Sequence, residues 1–191
     1  MKLFSAIKIP PHLASQIERL QKGVSGARWS EPDKLHITLA YYGEVDDAHA
    51  EVLDSELARR PFSSFELSLG AAGHFGKSEP HAIWLSVNAS DALIELHKHT
   101  KFAARRAGIT VETRNYKPHV TLAYLKRGAP IERIIAFEKL RADFNCKPFL
   151  VDEFFLFSSH QKAKGHNSYH IEELLCPFAF WWLENLSLIH I

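Results

Sequence analysis

The stretch Leu35-His36-Ile37-Thr38-Leu39-Ala40-Tyr41-Tyr42 recurs 83 positions later as Pro118-His119-Val120-Thr121-Leu122-Ala123-Tyr124-Leu125. Five of the eight positions are identical, and a sixth exchanges Ile for Val. Apolar and polar residues alternate in both copies, which is typical of a β-strand with two different faces. The sequence therefore predicts an internal repeat that provides one histidine-bearing strand in each half of the chain.

Each copy places a histidine and a threonine two residues apart on one strand face, so two such strands can surround one cavity with imidazoles and hydroxyls. With an ordinary pKa of about 6.5, one imidazole can accept a proton from water while the other gives one to a leaving oxygen. Threonine hydroxyls can donate hydrogen bonds to the non-bridging oxygens of a phosphate. We therefore predict phosphodiester chemistry that requires no metal ion and no cofactor, with His36 and His119 catalytic and Thr38 and Thr121 binding the substrate.

Strand and helix patterns alternate along the rest of the chain. Helices are predicted from Pro11 to Gly23, from Asp46 or Asp47 to about Arg60, from Asp91 to Gly108 and from near Pro130. Further strands are predicted at Leu3–Ile9, at Phe65–Leu69 and Ala82–Val87 around a glycine-rich turn over residues 70–80, and as two final strands near 149–157 and 168–175. Because the strands come mainly in pairs, we predict an α+β fold with mostly antiparallel sheets.

The composition is that of an ordinary globular protein: 46% of the 191 residues are apolar and 24% are charged. This excludes disorder, collagen and coiled coil, and the length predicts one compact unit. The 23 basic and 22 acidic residues give no sign of a protein that coats nucleic acid or membrane. Residues 101–127 are locally basic, and we expect Arg105 and Arg106 to form a solvated helix face.

The chain is expected in the cytoplasm and not in a membrane. It has two cysteines without a Cys-x-x-Cys motif, and no secretory leader precedes the first predicted strand. The apolar run Cys176–Leu183 is far shorter than the roughly 20 residues that cross a bilayer.

Other histidines and the tyrosines give weaker signals. His97 and His99 point to different sides of a predicted helix, so they form a poor chelating pair. His74 and His81 border the glycine-rich turn and are expected to be exposed loop residues. Tyr41, Tyr42 and Tyr116 are expected mainly to pack in the core.

Several motifs, taken together, resemble the RNA 2',3'-cyclic phosphodiesterases, which are also known as 2'-5' RNA ligases and belong to the two-histidine (2H) phosphoesterase superfamily. The resemblance covers roughly residues 2–177. It rests on the paired His-x-Thr strands and on five flanking motifs: Ala27-Arg28-Trp29, Tyr42-Gly43-Glu44-Val45, Gly73-His74-Phe75-Gly76, Arg105-Arg106-Ala107-Gly108 and Phe154-Phe155-Leu156-Phe157-Ser158-Ser159.

The resemblance implies a bilobal α+β fold, with two mostly antiparallel sheets related by pseudo-twofold symmetry, helices on the outer faces and a cleft between the lobes. It implies that His36 is the proton donor and that His119 activates water. Such enzymes open an RNA 2',3'-cyclic phosphate to a 2'-phosphate, and some join tRNA halves by a 2'-5' bond. Residues 1–177 are expected to form this single domain, and residues 178–191 an apolar C-terminal extension.

One departure affects the predicted phosphate site. Many members of the family carry an arginine where this chain has Tyr124, and Lys126 or Arg127 can supply the missing charge. On a regularly alternating strand Tyr124 does not share the face of His119, so we expect its ring at the cleft margin, where it can stack on a base. These three residues are weaker candidates for substrate binding.

Two alternatives remain open from the sequence. The same site can act on a small cyclic nucleotide or on a 2'-5' oligonucleotide. Alternatively, the chain can bind an RNA end in the cleft without turnover. The expected partner is an RNA terminus that bears a 2',3'-cyclic phosphate, tRNA fragments included, and no obligate protein partner is evident.

Overall fold

The computed structural model describes residues 1–161 and 167–175, with side chains through residue 158. This part of the chain contains four α-helices: α1 (Pro11–Glu18), α2 (Asp47–Ala58), α3 (Asp91–Arg106) and α4 (Ile131–Lys139). It contains nine strands: β1 (Lys2–Lys8), β2 (Ala27–Trp29), β3 (His36–Glu44), β4 (Phe65–Phe75), β5 (Ala82–Asn88), β6 (His119–Leu125), β7 (Phe149–Val151), β8 (Phe154–Gln161) and β9 (Asn167–Leu175).

These strands form one antiparallel sheet in the order β7-β4-β5-β6-β3-β1-β8-β9, and β2 pairs with β6 beside that path. The two predicted sheets are the two halves of this sheet, joined where Ile37 on β3 pairs with Val120 on β6. Each half contains a strand-helix-strand unit, β1-α1-β3 in one and β5-α3-β6 in the other. The predicted α+β class with mostly antiparallel strands is confirmed.

The two units exchange a strand. β4 follows the first unit along the chain but pairs with β5 of the second. β8 follows the second unit but pairs with β1 of the first. Each half of the sheet therefore depends on a strand that the other half of the sequence supplies.

The helices cover one face of the sheet. All four contribute to a single buried apolar cluster, which also contains Ile37 and Val120, both 0% exposed. The helices present Ile17, Leu53, Leu93 and Ile134 to this core, each fully buried. A second, smaller cluster consists of Phe4, Ala6, Phe155 and Phe157. Because strand neighbours alternate in direction, the side chains of β3 between its core residues emerge on the face that the helices leave uncovered.

Local signals set most element boundaries. The Asp46 carboxylate accepts a hydrogen bond from the His49 amide (3.0 Å) at the start of α2, and the Ser90 hydroxyl accepts one from the Leu93 amide (3.2 Å) at the start of α3. The predicted first helix is too long, because α1 ends at Glu18 and the chain turns before Gly23.

Two predictions for the strands are corrected. β4 extends through Phe75, since its pairing with β5 continues to the Phe75–Ala82 pair, so the glycine-rich turn is confined to residues 76–81. The predicted pair of final strands is three strands, β7, β8 and β9, because residues 152–153 interrupt the first of them. Residues 178–191 lie outside the described part. Within it, no helix has the length and apolar character of a membrane span.

Candidate active site

The two motif strands lie side by side at the centre of the sheet. On either side of the bridging Ile37–Val120 pair lie His36 and Thr38 on β3, and Thr121 and His119 on β6. The antiparallel register sets His36 across from Thr121 and Thr38 across from His119. All four side chains are partly exposed, whereas the two residues of the bridge are fully buried in the core. The four predicted residues therefore share the face of the sheet that is free of helices.

The two imidazoles have the same hydrogen-bond arrangement. The Nδ1 atom of His36 lies 2.7 Å from the carbonyl oxygen of Lys34, and Nδ1 of His119 lies 2.7 Å from that of Lys117. A carbonyl oxygen can only accept a hydrogen bond, so each Nδ1 carries the hydrogen. In the neutral ring the Nε2 atom is then left with a lone pair. Both histidines are thus oriented to exchange a proton at Nε2.

Aromatic rings surround both imidazoles. The His36 ring centroid lies 5.2 Å from that of Phe4 and 6.2 Å from that of Phe157. The His119 centroid lies 4.8 Å from that of Phe75 and 6.4 Å from that of Trp84, in edge-on arrangements. This apolar packing makes the charged form of each ring less favourable.

Burial lowers the pKa of both histidines below the ordinary value. For His36 the hydrogen bond to Lys34 opposes that effect, and the nearby charge of His119 adds to it. For His119 burial also dominates, against the hydrogen bond to Lys117. At neutral pH both rings are therefore neutral in the free protein, and an anion bound between them would raise their pKa values.

Each motif strand contains a β-bulge directly after its threonine. The pairing of β3 with β1 passes from Thr38–Ala6 to Ala40–Ser5, so Leu39 is the extra residue. The pairing of β6 with β5 passes from Thr121–Trp84 to Ala123–Ile83, so Leu122 is the extra residue. An extra residue reverses the direction of the side chains that follow it.

The bulges turn two tyrosines toward the histidines. Ala40 and Ala123 join the core, and Tyr41 and Tyr124, 49% and 42% exposed, lie on the face of His36 and His119. The predicted orientation of Tyr124 is therefore wrong, because strict alternation stops at the bulge. The packing expected for Tyr41 is also not observed, whereas Tyr42 is buried and donates a hydrogen bond to the Ser5 hydroxyl (2.7 Å).

Side chains from other elements cap the carbonyl groups at the bulge of β3. The Tyr116 hydroxyl donates to the Thr38 carbonyl (3.0 Å), and Nδ1 of His97 donates to the Leu39 carbonyl (2.7 Å). The two capping rings stack on each other, with centroids 3.8 Å apart and planes 4° from parallel. Tyr116 therefore packs as expected, and it also holds the motif strand in its irregular conformation.

The bulge of β6 has matching caps. The Ser30 hydroxyl donates to the Thr121 carbonyl (3.0 Å), and the Ser30 amide donates to the Leu122 carbonyl (2.7 Å). The side-chain amide of Gln21 adds a hydrogen bond to Leu122 at 3.3 Å. Each bulge is thus stabilised by residues that the opposite half of the chain supplies.

An arginine that sequence reasoning had not selected lies beside Tyr124. Arg28 on β2 pairs with Tyr124 on β6, so the two side chains share one face of the sheet. The Arg28 guanidinium carbon is 5.3 Å from the centre of the Tyr124 ring. The neighbouring Trp29 packs toward the core, 5.6 Å from Phe137. The Ala27-Arg28-Trp29 motif was visible in the sequence, but its pairing with β6 was not.

The other two predicted cations lie in the turn that follows β6. Lys126 and Arg127 are both exposed. The Arg127 side chain is 91% exposed, and its Nε lies 2.8 Å from the carboxylate of Glu79, in the turn between β4 and β5. The structure thus brings His36, His119, Thr38, Thr121 and Tyr124 to one face and holds Arg127 at that turn.

A cavity of about 670 Å³ opens beside the motif strands. Thr38, Tyr41 and His119 line it, together with parts of the loops at 76–81 and 111–117. Three basic side chains reach it from α3 and the second loop: Lys101, Arg114 and Lys117. This side of the cleft therefore combines His119 and Thr38 with an exposed aromatic ring and a positive lining, in which Glu112 pairs with Arg114.

The remaining histidines have other contacts. His81 is exposed and lines this cavity, but His74 lies on β4 with Nδ1 2.6 Å from the Glu138 carboxylate, so its predicted loop position is wrong. His97 and His99 contact the carbonyls of Leu39 and Leu57, which confirms that they face different ways. The described residues contain no cluster of three metal-ligating side chains.

Comparison with known proteins agrees with this architecture. A protein of Thermus thermophilus superposes with a TM-score of 0.72 over 91% of this chain and 96% of its own, at 24% identity, which shows the fold. Escherichia coli LigT in complex with 3'-AMP superposes with a TM-score of 0.71 at 26% identity, over 91% of this chain and 95% of LigT. The likeness to LigT identifies the fold as that of the two-histidine phosphoesterases.

The sequence comparisons identify the family. The 2'-5' RNA ligase superfamily matches residues 9–163. The RNA 2',3'-cyclic phosphodiesterase of Thermotoga maritima is 30% identical over 174 residues, which cover 86% of this chain and 90% of that protein. The chain therefore belongs to the 2'-5' RNA ligase superfamily, and it is an enzyme that acts on phosphodiester bonds.

Proposed function

We propose that this protein is an RNA 2',3'-cyclic phosphodiesterase, which hydrolyses a terminal 2',3'-cyclic phosphate to a 2'-phosphomonoester by two-histidine acid-base catalysis. The observation that carries the proposal is the matched pair of imidazoles on one sheet face, each with Nδ1 held by a backbone carbonyl and Nε2 available. The names of the relatives support the choice of substrate.

The reaction needs two proton transfers, and the two histidines supply them. Nε2 of His119 accepts a proton from a water molecule, whose oxygen attacks phosphorus. The bond between phosphorus and the 3' oxygen breaks, and His36 gives its proton to that oxygen. The products are a 2'-phosphate and a 3'-hydroxyl, and the proton taken from water regenerates the acid on exchange with solvent. No step requires a metal ion.

The hydroxyls and one guanidinium bind the phosphate in this mechanism. Thr38 and Thr121 lie between the histidines and donate to the non-bridging oxygens, where negative charge increases during the displacement. Arg28 provides the fixed positive charge, because Tyr124 pairs with it and occupies the place of the family arginine. Lys126 and Arg127 remain candidates for contacts farther along the RNA.

The nucleoside occupies the cavity beside His119, with Tyr41 as a stacking surface. The complex of Escherichia coli LigT with 3'-AMP supports a nucleotide as the ligand. The same displacement, with the 5'-hydroxyl of a second RNA in place of water, would join two RNA ends by a 2'-5' bond and release the 3' oxygen as a hydroxyl. The name of the superfamily favours this as a second activity, with tRNA halves as candidate substrates.

The test is incubation of the purified protein, in excess chelator, with a dinucleotide that ends in a 2',3'-cyclic phosphate. We expect conversion to the 2'-phosphate, identified by its resistance to a 3'-specific phosphatase. His36→Ala and His119→Ala should each lower kcat by about 100- to 10,000-fold. His99→Ala, on α3 and outside the cleft, is the matched control and should retain turnover.

The outcomes separate the open alternatives. Tight binding of the dinucleotide without conversion would favour an RNA-end-binding protein and contradict the proposal. Faster turnover of a mononucleotide 2',3'-cyclic phosphate or of a 2'-5' oligonucleotide would assign the same site to a different substrate. Loss of turnover in chelator that added Mg²⁺ restores would overturn the metal-independent mechanism.

A further inference from the structure

A second cavity of about 750 Å³ lies between α2 and α3. Its lining is strongly basic for a chain with a net charge of +1. Two carboxylates, Glu56 and Glu95, stand against six cationic side chains: Arg59, Arg60, Lys98, Lys101, Arg105 and Arg106. The sequence alone favours a solvated helix face here, but the structure brings these charges together from two helices around one groove, which we call the α2–α3 groove.

Two arginines that line the groove are held in place by one carboxylate. The Glu56 carboxylate, whose side chain is only 17% exposed, contacts Arg59 at 2.9 Å and Arg106 at 2.7 Å. A guanidinium carries five N–H donors, so these contacts leave donors on both arginines for a further acceptor. Within the described part of the chain, Lys101 and Arg105 pair with no carboxylate. The groove therefore offers positioned donors and uncompensated charge.

An exposed aromatic ring stands among these cations. Phe102 is 56% exposed and lines the groove, with the Arg106 guanidinium carbon 5.9 Å from the ring centre. Basic side chains interleaved with an aromatic ring are typical of surfaces that bind single-stranded nucleic acid, because the cations contact phosphates and a base stacks on the ring.

The α2–α3 groove adjoins the catalytic cleft. His97 and Lys101 line both the groove and the cavity that contains Thr38 and His119. His97 is fixed there by its hydrogen bond to Leu39 and its stacking on Tyr116. A chain whose end lies at His119 can therefore leave the cavity past Lys101 and enter the groove.

We propose that the α2–α3 groove binds the single-stranded RNA on the 5' side of the cyclic phosphate. This inference rests on the proposed function, because it extends the substrate of that site. It assigns to Arg60, Arg105 and Phe102 contacts with nucleotides that lie outside the cleft. Recognition of a long RNA then has two parts: a terminus in the catalytic cleft and a sequence-independent contact along the groove.

The test compares two substrates with the same terminus, a dinucleotide and a dodecanucleotide that both end in a 2',3'-cyclic phosphate. The double variant Arg60→Glu and Arg105→Glu should raise KM for the dodecanucleotide by roughly tenfold. The dependence of this KM on salt concentration should also fall, by the equivalent of about one phosphate contact for each substituted residue. Turnover of the dinucleotide should stay unchanged. Arg133→Glu with Lys147→Glu, two exposed positions outside the groove, makes the same change in net charge and should leave both substrates unaffected.

Phe102→Ala tests the stacking contact. It should raise KM for the dodecanucleotide and leave KM for the dinucleotide unchanged. Unchanged KM for the dodecanucleotide in the double variant, with normal dinucleotide turnover, would overturn this inference and leave the proposed function intact. If inorganic polyphosphate and RNA without a cyclic end inhibit turnover of the dodecanucleotide equally, the groove binds anions in general. That result would also overturn this inference. Failure of the unmodified protein to turn over the dinucleotide would instead overturn the proposed function.

Discussion

At the scale of single residues, the shared environment of the two imidazoles has a consequence for pH dependence. Burial lowers the pKa of both His36 and His119 below the ordinary histidine value of 6.5. The proposed mechanism requires one ring neutral and the other protonated. In the free enzyme this combination is most populated midway between the two pKa values, and therefore below pH 6.5.

We therefore expect a bell-shaped profile of kcat/KM with its maximum on the acid side of 6.5. The profile of kcat should be displaced to higher pH, because the bound phosphate anion stabilises the protonated acid. Steady-state kinetics between pH 4 and 9 with the dinucleotide substrate measure both. A kcat/KM maximum above pH 7.5 would contradict the lowered pKa values.

The pair Arg28 and Tyr124 gives a second prediction at this scale. Arg28→Ala should lower kcat/KM by about 10- to 100-fold, the equivalent of losing one hydrogen bond to a charged group. Arg28→Lys should recover only part of the loss, because an ammonium cannot contact two phosphate oxygens in the guanidinium geometry. Arg127→Ala is the matched control. If it lowers kcat/KM as much as Arg28→Ala does, the phosphate contact would be assigned to Arg127, in the turn after β6.

At the scale of secondary-structure elements, the bulges on β3 and β6 decide which side chains reach the cleft. Their carbonyl groups depend on caps from Tyr116, His97 and Ser30. A bulge carbonyl that loses its cap exchanges an internal hydrogen bond for contact with water, at a net cost near 1 kcal/mol. Such a loss acts on the geometry of the motif strand and not on its chemistry.

We expect Tyr116→Phe and Ser30→Ala each to lower the free energy of unfolding by about 0.5–1.5 kcal/mol, as measured by urea titration. Each should also reduce kcat with little change in the pH profile, because the histidines keep their own carbonyl partners. Ser15→Ala, an exposed hydroxyl that bonds to Pro11 on α1, is the control and should leave kcat unchanged. A shifted pH optimum in the Tyr116 variant would instead indicate that this hydroxyl affects the histidines directly.

At the scale of the whole molecule, we propose that the exchange of strands makes the two lobes fold as one unit. β4 and β8 each complete the half of the sheet to which they do not belong in sequence, and one apolar core runs beneath both halves. Far-UV and near-UV circular dichroism should therefore report the same unfolding midpoint. Two separate transitions would show that the lobes fold independently.

The bridging residue provides the sharpest test of that coupling. Ile37 is fully buried and forms the pair that joins β3 to β6. Ile37→Ala should lower the free energy of unfolding by about 2–5 kcal/mol and keep a single transition, whereas Ile37→Val should cost only about 0.5–1.5 kcal/mol. If one lobe of the alanine variant unfolds before the other, so that two transitions are observed, the single-domain proposal would be contradicted.

The proposed boundary at residue 177 can also be tested. The strands that position the site end with β9 at Leu175, and β9 pairs with β8 along its length. We expect a chain truncated after Pro177 to keep its melting temperature within a few degrees and its turnover of the dinucleotide. Loss of both would assign residues 178–191 to the domain itself.

The sequence alone predicted the candidate site and most of the architecture. The His-x-Thr alternation predicts two histidines and two threonines on strand faces because a two-residue period needs no knowledge of the rest of the fold. Amphipathic spacing likewise predicted α2 and α3 close to their observed bounds, and Pro130 marked the start of α4. These features depend on residues that are close together in the sequence, so they can be predicted from the sequence alone.

Only the tertiary structure decided which residues surround the candidate site. A bulge is a mismatch between two strands, so the direction of Tyr41 and Tyr124 depended on the registers with β1 and β5. The place of Arg28 beside Tyr124 depended on the pairing of β2 with β6, and the basic groove on the packing of α2 against α3. Each of these contacts joins residues distant in sequence, and no local pattern records which distant partner a strand or helix will meet.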